Sequence, residues 1–300
     1  QGLRGATRSG VEKMAPVAAA LPSQARGYFL YATAGQALYL EPEPYRALCD
    51  IQEAVIAFRL NGDRYGETHS MFYSGLCYYG LGAFDQSEAV LKDARALAVA
   101  TQNMFFDAVI QLNMGFVLAE QPDAAKQEQA RSIGEAFVKQ THLGPAISGA
   151  AYQILAQIRL RAGALESAEQ LAQLAIEQYK IARMLPYHLW VVPIQIDVLL
   201  KLGKASEAHQ AAAAAVGLID KQGGLGFCEP SVRLALARAC FADGDAVAGR
   251  SALAEALAQV QLRSNKITDP QLRELYLKKP ENQQIFALTE KLALPIALTT

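Results

Sequence analysis

One spacing rule runs through most of this chain and limits what it can fold into. A small residue is followed at seven positions by a helix breaker or small residue, and at twelve and nineteen positions by further small residues. The copies begin at Gly35, Gly75, Gly115, Ala156, Ile196 and Ala237, so the steps between them are 40, 40, 41, 40 and 41 residues. A fixed period of this length marks a stack of repeated units, each burying its apolar face against its neighbours. The landmarks also have a local meaning. Antiparallel helices approach closely only where the facing positions carry little side chain, and Gly or Pro ends a helix at a turn. Offsets 12 and 19 lie seven residues apart, two turns along one face of the second helix.

The stretches Gly75 to Ala94, GLCYYGLGAFDQSEAVLKDA, and Ala156 to Ala175, AQIRLRAGALESAEQLAQLA, carry the template most fully, with Leu199 to Ala215 close behind. These residues resemble the tetratricopeptide repeat family. Departures are the missing Trp of the usual repeat opening, Gln127 and Ile196 at small-residue sites, and a period longer than 34. The long period is similar to that of a variant in bacterial signalling ATPases and maltose-type transcriptional activators. The resemblance implies an all-α, right-handed superhelical solenoid of about six helix-turn-helix repeats with a helical C-terminal cap. The expected divisions are residues 1–22 as an N-terminal segment or partial repeat, 23–265 as the array, and 266–300 as capping helices and tail.

Several signals refine this outline. Ser23 is expected to cap the first full helix after Pro22, and Pro44 suits the first turn of the next. Residues 11–21 read as the second helix of an incomplete repeat, with Pro16 against its continuation. The segment KQGGLGF at 221–227 reads as a helix C-cap and flexible inter-repeat loop. It lacks the preceding strand and the following GK[ST] of a phosphate loop. Asp269 and Pro270 read as the cap and first position of a further helix. Asp269, Pro270, Leu272, Arg273, Leu277, Pro280, Glu281 and Asn282 resemble the ending of bacterial kinase and ATPase fusions that carry such repeats. The start at Gln1-Gly2-Leu3 rather than at Met leads us to expect processing or a fragment cut from something longer.

Composition excludes some roles. With 52% apolar residues, 19% charged residues and a net charge of −1, there is no basic stripe for a phosphate backbone, so direct nucleic-acid binding is not expected. No apolar run reaches the roughly 20 residues that span a bilayer, and no secretory leader is seen, so no membrane partner is expected. Cys49, Cys77, Cys228 and Cys240 lack metal-site spacing and read as reduced, buried thiols of a cytoplasmic protein. His69, His142, His188 and His209 are widely separated, and no HExxH or GxSxG motif occurs. No catalytic residue, metal or cofactor is therefore expected, and the chain reads as a non-enzyme.

The resemblance implies that first helices line a concave groove. Its inward positions carry over to Phe29, Gln36 and Tyr39; His69, Phe72, Leu76 and Tyr79; Leu112 and Phe116; Gln153, Gln157 and Arg161; Trp190, Asp197 and Lys201; and Arg238 and Phe241. The N-terminal positions are aromatic, a pattern that helix cores also show. The C-terminal ones carry Gln, Arg, Asp and Lys. Tyr39, Tyr79 and Trp190 have polar handles suited to half-exposed positions. Arg161, Lys201 and Arg238 have the charge to meet a peptide carboxylate. The expected function is a protein-interaction or regulatory module of a bacterial signalling protein, with a peptide, a partner or another domain of its own polypeptide as ligand. Alternatives are a sensor of a small-molecule effector or signalling peptide, and a free-standing scaffold.

Overall fold

The computed structural model describes residues 13–292, so the expectations for residues 1–12 and 293–300 lie outside it. Every regular element among the described residues is helical. In order they are α1 (Ser23–Tyr39), α2 (Pro44–Leu60), α3 (Arg64–Gly80), α4 (Phe84–Ala100), α5 (Met104–Glu120), α6 (Ala124–Val138) and α7 (Pro145–Arg161). There follow α8 (Leu165–Ile181), α9 (Leu185–Lys201), α10 (Ala205–Gln222), α11 (Glu229–Ala242), α12 (Ala246–Ser264), α13 (Pro270–Leu277) and α14 (Pro280–Lys291). Short 3-10 turns occur at Ala15–Ala20, Thr141–Leu143 and Gly226–Cys228.

The period has a simple origin. Helices α3 and α4 each run 17 residues and are joined by the three residues Leu81, Gly82 and Ala83, so one helix and one link occupy 20 positions. Two such steps make the 40-residue repeat. The link is short because its middle residue takes a left-handed conformation, φ 76° at Gly82 and 75° at Gly163, which returns the chain in one step. Gln102 and Arg183 hold the same conformation without being glycine. The two longer steps each contain an extra short turn: Thr141–Leu143 before α7 in the step from Gly115 to Ala156, and Gly226–Cys228 before α11 in the step from Ile196 to Ala237.

The chain forms two compact units whose make-up does not follow chain order. Among the described residues the first holds 13–113 together with Gln222–Phe227 and Arg263–Tyr276; the second holds Met114–Lys221, Cys228–Leu262 and 277–292. In the first unit α1 packs on α2, α2 on α3 and α3 on α4, while α1 also touches α3. In the second, α6 packs on α7, α7 on α8 and α8 on α9; α7 also touches α9, α9 touches α11, and α11 meets α14.

The landmarks sit at the crossings. Ala47, Ala54, Ser87, Ala94, Ala156, Ala168, Ala175 and Ala208 are fully buried. A Cβ on Gly75 would lie 2.6 Å from Leu91, and one on Gly115 would lie 2.6 Å from Ile154. Ser87 donates its hydroxyl to the Gly75 carbonyl at 2.7 Å, so a polar landmark still satisfies itself. Gln127 is half-buried and donates to the Gln121 carbonyl at 3.1 Å. Gly35 departs from the rule: a Cβ there meets nothing within 4 Å. We expect Gly35→Ala to stabilise the protein by about 0.5–1 kcal/mol in chemical denaturation, because Gly costs about that much in a helix interior.

Four local expectations are corrected. Of the four thiols expected to be buried, Cys77 and Cys240 are, whereas Cys49 is exposed and Cys228 half-buried. Ser23 is the first residue of α1 rather than its cap; Pro22 precedes it, and the Ser23 hydroxyl accepts from Asn61 Nδ2 at 2.8 Å. Residues 15–20 form a 3-10 turn with Pro16 in its first positions, not a second repeat helix. The Gly-rich segment, expected as a C-cap and flexible inter-repeat loop, ends in a 3-10 turn from Gly226 to Cys228, with Leu225, Gly226 and Phe227 buried. Asp269 does cap α13, with Oδ1 accepting from the Leu272 amide at 2.9 Å.

Candidate functional site

In the first unit, the first helices meet through aromatic rings placed a turn or two apart. Tyr31 of α1 lies edge-on to Tyr73 of α3 with centroids 5.0 Å apart, and Tyr39 does the same at 6.0 Å. The three hydroxyls share hydrogen bonds; burial still raises the Tyr73 pKa above its ordinary value, against the pull of Tyr31 and Tyr39. His69 stacks on Phe106 at 3.7 Å, and burial lowers its pKa. Phe72 is buried against Phe106 and Tyr73. Of the expected groove residues here, Phe72 therefore belongs to the packing between helices, while Tyr39, His69 and Tyr79 are half-buried.

Tyr79 leads to a feature that the spacing rule does not describe. Its ring packs edge-on to Phe227 at 5.9 Å, and a Cβ on the neighbouring Gly80 would lie 3.0 Å from the Phe227 ring. Phe227 follows Gly226, whose φ is 50° and on which a Cβ would run into the Leu38 carbonyl oxygen of α1. The Gly226 carbonyl in turn accepts from the Arg263 guanidinium, with Nε at 3.1 Å. Arg263 is 0% exposed, the largest fully buried side chain described. Nearby in sequence, Lys266 donates to Glu43 at 2.7 Å, 223 residues away in the chain. Burial would raise the Glu43 pKa, but Lys266 and Arg46 hold it below the ordinary value.

The second unit holds the other expected groove residues. Phe116 is buried. Gln153 is buried and accepts from the Tyr179 hydroxyl at 3.1 Å. Trp190 packs on Tyr187 at 4.7 Å and is half-buried. Arg161 donates to the Ala119 carbonyl and, at 3.0 Å, to the Glu120 carboxylate of the preceding first helix. Asp197 and Arg238 pair with each other across α9 and α11. Burial raises the Asp197 pKa while Arg238 and Lys201 draw it down. The charges expected to await a ligand are thus partly spent on ties between neighbouring first helices. Gln157 is half-buried and Lys201 exposed.

Two further groups escaped the sequence reading. Arg233, 8% exposed, meets Glu229 at 2.9 Å, Asp220 at 2.7 Å and Glu255, which ties α10, α11 and α12 together. Burial lowers the Arg233 pKa, but the hydrogen bonds it donates to Asp220 and Glu229 outweigh it and hold the value above the ordinary one. An Arg four residues after a Glu in α11 was the available signal.

The second group is His188 in the first turn of α9, whose pKa burial and Lys180 lower to about 4. A neutral histidine in the folded state and an ordinary value of 6.5 in the unfolded state fix the sign. The stability His188 contributes is complete above pH 6.5 and is lost as pH falls from there towards 4. We expect its imidazole NMR titration to centre near pH 4, and the unfolding temperature to fall less between pH 7 and 4.5 in His188→Gln than in the native protein. A titration midpoint near 6.5 would contradict this.

Among the described residues no helix is long and apolar enough to cross a membrane, and no three His, Cys, Asp or Glu side chains group as metal ligands. No family model matches the chain, and no curated protein matches it.

Proposed function

We propose that this chain is a non-catalytic interaction module: a tetratricopeptide-like, right-handed array that receives a peptide segment or partner domain along its first helices. It would serve as the C-terminal regulatory part of a larger cytoplasmic bacterial signalling protein. The observation that carries the reading is the side-by-side placement of first helices within each unit, α1 with α3, α7 with α9 and α9 with α11. Such a layer offers a continuous wall of side chains at one-turn intervals. Half-buried Tyr39, Tyr79, Gln157 and Trp190 on first helices have apolar bodies and polar ends, the combination favoured where a partner is bound reversibly.

A photo-crosslinking residue placed singly at Gln157 and Lys201 of first helices, and at Gln173 and Gln210 of second helices, tests this in cells. Crosslinks to one discrete protein from the first pair of sites and none from the second pair support the reading. Crosslinks from the second pair alone overturn it. The larger-protein reading has its own check, since an antibody raised against this region should detect a band far above 32.4 kDa in source cells.

A further inference from the structure

The segment Gln222–Phe227 connects α10 to α11 in the chain, yet it is built into the first unit. It interrupts the spacing rule where a first helix would begin: α11 starts at Glu229 and runs 14 residues, three fewer than α7 or α9. The missing turn is replaced by Gly223, Gly224, Leu225, Gly226 and Phe227, with φ of 78° and 130° at the first two glycines. This is not a neutral insertion. It presents three recognition features to the first unit. The Leu38 carbonyl leaves no room for any side chain at Gly226, the Arg263 guanidinium grips the Gly226 carbonyl, and Tyr79 with Gly80 forms a slot for the Phe227 ring.

We propose that this slot is a peptide-binding site for a glycine followed by an aromatic residue, and that Gly224–Phe227 is its intramolecular ligand. The proposal deepens the interaction-module reading and rests on it. Each feature selects one chemical property. A Cβ at the first position is excluded by the contact with Leu38 O, so the ligand residue there is glycine. A turn carbonyl satisfies the Arg263 donors, and charge-assisted bonds of this type are the strong ones. The aromatic ring finds an edge-on partner in Tyr79 and a flat approach over Gly80, where any side chain would block it. The ligand segment also contains the residues that gain most backbone freedom on release, its glycines. A partner carrying a Gly-Phe or Gly-Tyr turn therefore competes with the chain's own segment, and the site is closed to it until that segment leaves.

The test uses the full chain and a fluorescein-labelled peptide of residues 219–230, with serine in place of Cys228. Phe227→Ser removes the internal ring, and Gly226→Ala independently expels the segment by its contact with Leu38. Fluorescence anisotropy should show the peptide binding either variant at least tenfold more tightly than the native chain. Adding Tyr79→Ala to Phe227→Ser should abolish that binding, and a peptide carrying alanine at Gly226 should not bind.

Equal binding to native and variant chains, or no binding to variants that keep native helicity by circular dichroism, overturns the proposal. So does loss of helicity in both variants, because the segment is then a fixed part of the fold. Crosslinking from Gln157 and Lys201 is unaffected by these outcomes, so failure of this site is distinguishable from failure of the broader reading.

Discussion

Replacing Arg233 by leucine is expected to destabilise the second unit by about 3–5 kcal/mol, the range measured when one partner of a buried ion pair is removed. The three carboxylates around Arg233 are not equal. Asp220 and Glu255 are 58% and 54% exposed, so water can take over from the guanidinium. Glu229 is 5% exposed and is left buried without its cation. Most of the loss is therefore the cost of Glu229. Asp220→Asn and Glu255→Gln should each cost under about 1 kcal/mol, as exposed pairs do. Adding Glu229→Leu to Arg233→Leu should recover most of the loss, because an apolar pair needs no desolvated charge. Urea unfolding of the four variants gives the comparison. A loss in Glu255→Gln as large as that in Arg233→Leu would show that the hub is not organised around Glu229.

The second large effect is expected at the helix crossing of the second repeat. Gly75→Val should cost about 3 kcal/mol, at the upper end of overpacking penalties, because its Cβ alone would lie 2.6 Å from Leu91. Leu91 is fully buried on α4, and Ser87 bonds the Gly75 backbone at the same crossing, so neither helix can slide away freely. Leu91→Ala opens a cavity and costs about 2–5 kcal/mol by itself. The two together should cost less than their sum by at least about 1 kcal/mol, since the valine occupies the vacated space. Strict additivity in a double-mutant cycle would mean that the two side chains do not share the space. Gly35→Ala is the natural contrast, having the same place in the sequence template with open space instead of a partner.

That contrast shows where the spacing rule stops. Gly35 and Gly75 are equivalent in the sequence, and only the approach of a particular neighbour separates them. The groove residues divide in the same way. Tyr39, His69 and Tyr79 remain half-buried, whereas Phe72, Phe116 and Gln153 are turned into packing. Arg161 and Arg238 carry the charge expected of them, but Glu120 and Asp197 on neighbouring first helices already meet it. Pro193 makes the point for secondary structure. It lies inside α9, where a proline would ordinarily interrupt the helix, but Val191, Val192, Ile194 and Ile196 are buried around it. Burial of that apolar run outweighs the lost hydrogen bond.

By itself the sequence determined the all-helical class, the period of 40 to 41 residues, the small residues at the crossings and the Asp269 cap. The helical class and the cap follow from interactions a few residues apart, and the crossings recur once per repeat, so each leaves a mark that can be read along the chain. Only the tertiary structure decided that Gly226 and Phe227 leave the repeat to be held by Leu38, Tyr79 and Arg263, that Lys266 meets Glu43, and that Arg233 gathers three carboxylates. Apart from Glu229, four residues from Arg233, such partners are brought together by chain folding across tens to hundreds of residues. A charge, a glycine or an aromatic ring carries no sign in the sequence of the distant group it will meet.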